Sequence, residues 1–299
     1  MSQPRMHENE LAIDGRLVRN LVARQFPAWA SLPLAPVPSA GTDNALFRLG
    51  DELVVRLPRI DWAVGDIQKE RIWLPELAPH LPLEIPEPIA LGEATSEYPW
   101  PWAVYRWIPG VNRSLGQLAD PHQAASDLAG FIASLQQIPV PEGARPTSSR
   151  GGPLAARDGE TRAALACCQD LVDVEAAAVA WERALRAPGW AEAPVWLHGD
   201  LQAGNLLFRD GRLRSVIDFG CLGIGDPAVD VMAAWLYLDP DTRRPFRRVL
   251  DVDAATWERA RGWALSVGLI AFPYYRESNS ILAGIAQRTI EAALSDPAA

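Results

Sequence analysis

Asp210-Gly211 lies between two apolar runs, Leu206-Leu207-Phe208 and Val216-Ile217, and no other pair of residues constrains this chain as tightly. Both residue types tolerate the positive φ of a type I′ turn, so the pair predicts a two-residue β-hairpin. A hairpin there folds Asp218, just past its second run, back towards Asn205, just before its first. Asp200 stands five residues ahead of Asn205 in the segment Trp196-Leu197-His198-Gly199-Asp200-Leu201-Gln202-Ala203-Gly204-Asn205. Two oxygen ligands therefore converge beside a second carboxylate.

That combination suits phosphoryl transfer. Hard oxygen ligands hold magnesium on nucleotide phosphates, while another carboxylate orients an incoming hydroxyl and accepts its proton. Asp200 fits the base role, and Asn205 and Asp218 fit the metal. The asparagine oxygen ligates a cation without adding negative charge beside the phosphates. Asp218-Phe219-Gly220 alone is a weak motif, because aspartates that end strands are often turn residues. Joined in order to His198-Gly199-Asp200 by the hairpin, it is specific. Paired carboxylates also serve glycoside hydrolysis, but that chemistry needs neither the asparagine nor a metal hairpin, and it ranks well behind.

Length and composition are consistent with an enzyme of this kind. With 299 residues, 48% of them apolar and 22% charged, the chain can build one large domain or two modest lobes. The net charge of -9 argues against nucleic-acid binding and is compatible with a cationic ligand. No apolar run reaches the roughly 20 residues of a membrane span, and the N-terminus carries no signal-like segment, so a cytoplasmic location is expected. The three cysteines, Cys167, Cys168 and Cys221, have neither zinc-ligand nor disulfide-framework spacing. The twelve tryptophans are scattered without interleaved basic residues and read as packing rather than as stacking platforms.

Hydrophobic periodicity divides the chain. A helix capped by Asp14 should run to Pro27, followed by a proline-rich connector to Pro38. Runs 45–49 and 53–57 predict an antiparallel hairpin, and 61–80 a helix that Pro75 kinks or interrupts. Strand-like runs near 87–92 and 102–108 complete a small lobe. Helical sequence follows at 121–138 and 160–186, separated from one another by a loop at 139–153, and it returns from about 229 to the end. The expected organisation is an N-terminal lobe over 1–107 and a catalytic helical lobe over 108–299.

On the segments HGDLQAGN, VIDFG and GIGDPAVD, the sequence resembles the aminoglycoside phosphotransferase family, which also includes macrolide and other small-molecule kinases. GTDN, LVVRLPR, the helix bearing Glu70 and WAVYRWIPG extend the resemblance more loosely, to about 40–240. It implies a protein-kinase-like α+β fold, with a small β-rich N-lobe and a larger, mostly helical C-lobe. It also implies Asp200 as catalytic base, Asn205 and Asp218 as magnesium ligands, and His198 and Asp230 as supports beneath the catalytic loop. Asp226 reads as a turn or helix-cap residue.

For the nucleotide, the resemblance implies a basic strand residue on the phosphates, a position that Arg56 fills where many relatives carry lysine. Glu70 falls within the apolar stripe Ile67-Trp73-Leu74, so its inward-facing charge needs a partner, and Arg56 is the best candidate. The turn holding Thr42 and Asn44 corresponds to a phosphate-covering loop, although it matches neither GxGxxG nor the Walker pattern. Tyr105 and Trp107 belong to a strand and hinge whose backbone would meet the nucleotide base. The implied cofactor is Mg2+ with ATP or GTP, and the implied acceptor is a small hydroxylated molecule: an aminoglycoside, a macrolide, or a metabolite such as a sugar or amino alcohol. Glu160, Asp170, Asp173 and Glu175 could line an acidic acceptor pocket or form a solvated helix face. A pseudokinase-type nucleotide-binding module is the alternative from another class, and the arginine at position 56 is its only support.

Overall fold

A computed structural model describes residues 10–38, 43–144, 150–169 and 171–296, and the chain within it divides into two compact units. The first comprises residues up to 79, 84–109 and 217–220. Its centre is a five-stranded antiparallel sheet in the order β1-β2-β3-β5-β4. The strands are β1 (Leu34–Pro36), β2 (Asn44–Leu49), β3 (Leu53–Pro58), β4 (Pro88–Gly92) and β5 (Trp102–Arg106). Ala45, Phe47 and Leu49 alternate inward along β2, as period-two burial requires. They meet Val18, Leu21 and Val22 from α1 (Gly15–Gln25), together with Val55, Leu57, Tyr98, Trp102 and Val104. Asp14 caps α1 by accepting the Leu17 amide at 2.8 Å.

Two expectations change in this unit. The proline-rich connector contains β1, whose residues Ala35 and Pro36 pair with Arg48 and Phe47. An edge strand bonds along one side only, so proline is tolerated there. The helix α2 (Val64–Leu77) is not interrupted at Pro75 but continues for two residues beyond it. Pro75 falls in the last turn, and the ladder resumes with the Ala78 amide on Leu74 O.

The second unit comprises residues 80–83, 110–216 and 221 onwards. Its helices are α3 (Pro121–Gln137), α4 (Asp158–Cys167), α5 (Val174–Arg186), α6 (Ala228–Val231), α7 (Ala233–Leu236), α8 (Pro240–Leu250), α9 (Ala254–Tyr275) and α10 (Ser280–Ser295). The expected single helical run 160–186 is two helices, because Asp173 starts α5 anew by capping the Ala176 amide at 2.9 Å. Helix α9 is buried along most of its length against α4, α5, α6 and α10, so it is the core of the unit. Two ribbons interrupt the helices: β6 (Val195–Leu197) with β9 (Gly223–Gly225), and β7 (Leu206–Arg209) with β8 (Arg212–Val216). Gly225 lies so close to the 151 backbone that a Cβ on it would sit 2.0 Å from Gly151 O.

Candidate active site

The β7-β8 turn forms as its sequence demands, with φ of 54° at Asp210 and 74° at Gly211. Leu206 pairs with Val216 at the open end of the ribbon, and a register shift follows between Leu207 and Phe208. Asn205 immediately precedes that pair and Ile217 immediately follows it.

Between β6 and β7 the loop 198–205 is held by groups distant in sequence. Asp230, at the start of α6 and 1% exposed, accepts the His198 amide at 2.8 Å and the Gly199 amide at 2.7 Å. Burial pushes its carboxyl up from the ordinary value, against the pull of His198 and the two amides. Gly199 has a φ of 82°, and a Cβ there would meet Cys221 O at 2.8 Å, so the turn requires glycine. His198 is fully buried, and its Nδ1 accepts the Asp200 amide at 3.2 Å. Asn205 Nδ2 donates to Asp200 O at 2.8 Å and to Asp200 Oδ2 at 2.9 Å, and Gln202 Nε2 donates to the same Oδ2 at 3.0 Å. The amide nitrogen of Asn205 is thus spent on Asp200, and its oxygen is the group left for another partner.

Two further anchors act on this unit. Asn112 Nδ2 donates to Ala203 O, Gly204 O and Leu206 O at 3.1, 2.8 and 3.0 Å, which clamps the turn around Asn205. Asp226 is more than a cap. It accepts the Ala228 amide at 3.0 Å and also forms a buried bidentate pair with Arg259, at 2.7 and 3.0 Å.

In the sheet unit, Arg56 on β3 donates from Nη1 to Glu70 Oε1 at 2.6 Å and from Nη2 to Asp218 Oδ1 at 3.2 Å. Glu70 on α2 is fully buried, and the Tyr105 hydroxyl donates to its other oxygen, so both carboxylate oxygens are satisfied. Burial opposes the charge on Arg56, but Glu70 and Asp218 outweigh it and hold the guanidinium above its usual pKa. Burial, and then Glu70, raise Tyr105, which stays a neutral donor. Asp218 has a φ of 64°, a left-handed backbone rare for a residue with a side chain, and its carboxylate is about half exposed. Lys69 Nζ donates to Gly220 O and to Asp66 Oδ1.

A model of the phosphotransferase enzyme family matches residues 35–263. The chain belongs to that family. No match is found among curated protein sequences. Among solved structures, the GDP complex of wild-type aminoglycoside 2'-phosphotransferase-IIIa is 17% identical, with a TM-score of 0.72 over 94% of this chain and 99% of that one. The streptomycin-ATP ternary complex of APH(2")-IIa is 20% identical, with a TM-score of 0.62 over 87% and 91%. The macrolide 2'-phosphotransferase of Brachybacterium faecium is 20% identical, with a TM-score of 0.61 over 94% and 98%. This phosphotransferase-family chain therefore has the protein-kinase-like α+β fold, with a small antiparallel-sheet unit and a larger helical one.

Within the family member, the sheet unit gathers Arg56, Glu70, Tyr105 and Asp218, and the helical unit gathers His198, Asp200, Asn205 and Asp230. Thr42 lies outside the described residues. Asn44 opens β2 with its Oδ1 buried and, among the described residues, without a hydrogen-bond partner. Trp107 lies just past β5. Its amide is taken by Glu52 O at 2.7 Å, so that group is not open to a nucleotide base, and Arg48 stacks 4.2 Å above its indole. Glu160, Asp173 and Glu175 are exposed, and Asp173 serves as a cap, so they form a solvated face; Asp170 lies outside the described residues. Sequence reasoning missed Asn112, Gln202, Asp66 and Lys69. Asp66 and Lys69 stand three apart on a helix, a spacing that ordinarily marks a surface ion pair. Asn112 follows a Pro-Gly turn and carries no local signal at all.

Proposed function

We propose that this phosphotransferase-family protein transfers the γ-phosphoryl group of ATP or GTP to a hydroxyl of a small acceptor, with Asp200 as base. The observation that carries the proposal is the turning of Asn205 Nδ2 onto Asp200, which leaves the asparagine oxygen for a hard cation. The half-exposed Asp218 carboxylate, braced by Arg56 through Oδ1, supplies a second oxygen donor. Oxygen donors of this kind suit Mg2+, and neither residue is a Cys or His that would favour a softer metal. When bound, Mg2+ would neutralise charge on the nucleotide phosphates.

The residues of the chain do the rest. The acceptor oxygen forms a bond to the γ-phosphorus as the bond to the β,γ-bridging oxygen breaks, and the hydroxyl proton passes to Asp200. Gln202 and Asn205 fix the Oδ2 side of that carboxylate in advance. Arg56, kept cationic by Glu70 and Asp218, is the charge assigned to the phosphates. His198 and Asp230 hold the loop from below.

One related structure carries GDP, another carries ATP with streptomycin, and a third is a macrolide 2'-phosphotransferase, so aminoglycosides and macrolides lead the candidates here. The chain's acidic balance favours a cationic acceptor and disfavours nucleic acid. No helix among the described residues is long and apolar enough to cross a membrane. A cytoplasmic place, where nucleotide and Mg2+ are abundant, accords with this function, and drug resistance follows if the acceptor is an antibiotic.

The test is a phosphoryl-transfer assay with Mg2+, ATP or GTP, and a panel of aminoglycosides, macrolides, sugars and amino alcohols. Asp200→Ala should lower turnover about 10²- to 10⁴-fold with little change in nucleotide affinity, whereas Asp218→Ala should also weaken magnesium-nucleotide binding. Equal and mild effects from both substitutions would overturn the assignment.

A further inference from the structure

Helix α2 reaches the Asp218–Gly220 segment by two separate routes. Glu70 acts through Arg56, which bonds the Asp218 carboxylate. Lys69 acts on the backbone, donating to Gly220 O while Asp66 Oδ1 holds the same ammonium at 3.0 Å. Asp66 itself borders the segment: a Cβ on Gly220 would lie 3.0 Å from Asp66 Oδ2 and 3.4 Å from Asp218 Oδ1. The Lys69 and Asp66 side chains are 30% and 23% exposed, so this is not a freely solvated surface pair. Between the two routes Asp218 adopts φ 64°, a left-handed backbone that aspartate tolerates better than most L residues.

We propose that Lys69, oriented by Asp66, is a positioning residue that fixes the Asp218–Gly220 backbone and thereby aims the Asp218 carboxylate at a divalent cation. The cation clause rests on the phosphoryl-transfer function proposed above. A carboxylate alone could rotate at χ1 and χ2. Arg56 limits the side chain, and Lys69 pins the backbone two residues on. The segment is thus ordered before any metal arrives, and a preorganised ligand gives up less freedom on binding. Lysine suits the task because its ammonium carries three donors, enough for the Gly220 carbonyl and Asp66 together.

Two measurements test this on the full-length protein. The first is amide hydrogen exchange at residues 219–221 without metal or nucleotide. Lys69→Met should speed exchange there about tenfold while the β2-β3 amides stay protected, and Lys69→Arg should restore part of the protection. The second is the affinity for a fluorescent ATP or GTP analogue with and without Mg2+. Lys69→Met should lose about tenfold of the Mg2+-linked tightening and hold the metal-free Kd within about twofold. Should Lys69→Met fold poorly, Asp66→Asn, which keeps the shape and loosens the ammonium, should show the same pattern at about threefold.

Unchanged exchange and unchanged Mg2+ linkage in Lys69→Met, with only a lower Tm, would overturn the proposal and leave Lys69 a structural residue. If the wild-type protein shows no Mg2+-linked tightening, the phosphoryl-transfer function fails and the cation clause with it. The exchange result still decides whether Lys69 orders the segment.

Discussion

Replacing Asp230 with alanine removes the acceptor for two buried amides, those of His198 and Gly199. Each stranded donor costs about 1–3 kcal/mol, for a gross loss of about 2–6 kcal/mol. Part of this is returned, because the buried carboxylate is itself held at a cost, as its raised pKa shows. A net destabilisation of about 2–4 kcal/mol is expected, a large share of a domain's usual stability. Asp230→Asn keeps one acceptor oxygen and should lose about half as much. Urea unfolding of the three proteins provides the assay, with m-values compared to confirm that the same surface unfolds. Turnover should fall in parallel, since Asp200 follows the unpinned amides directly. A loss below about 0.5 kcal/mol for Asp230→Ala, or an asparagine variant as damaged as the alanine one, would refute the argument that the two amides depend on this carboxylate.

The buried pair Arg56-Glu70 should behave as a unit. Either Arg56→Met or Glu70→Gln alone should cost about 3 kcal/mol, because each removes the main partner of a buried charge and leaves it only the Tyr105 hydroxyl or Asp218. A double-mutant cycle of stability should show coupling of about 1–3 kcal/mol, and strictly additive losses would count against the bond. Gly225→Ala forces a Cβ to within 2.0 Å of Gly151 O, backbone against backbone, and should lower the Tm with a loss of about 1–3 kcal/mol or more. A neutral result in thermal melts would show that the 151 segment can move aside.

Much of the hairpin was legible because its determinants are local. Asp210-Gly211 sets the turn through its own backbone freedom, and the flanking apolar runs set the strands. The strands around Arg56 and Tyr105 and the helix bearing Glu70 follow from hydrophobic period. The burial of Glu70 followed too, from its place on the apolar stripe. The edge strand β1 was hidden, since prolines that would break a central strand are harmless on an edge. The break between α4 and α5 was missed because an alanine-rich run carries little period, and a single capping aspartate decides it.

By itself, then, the sequence determined the turn, the oxygen-bearing residues on either side of it, and the chemistry those residue types permit. Only the tertiary structure decided what holds them. Asp230 reaches the 198–205 loop from 31 and 32 residues away, Asn112 from 91 to 94, and Arg56 meets Asp218 across 162. Contacts at such separations leave no periodic or local trace in a chain, because they arise from where whole elements pack rather than from any preference of the residues themselves.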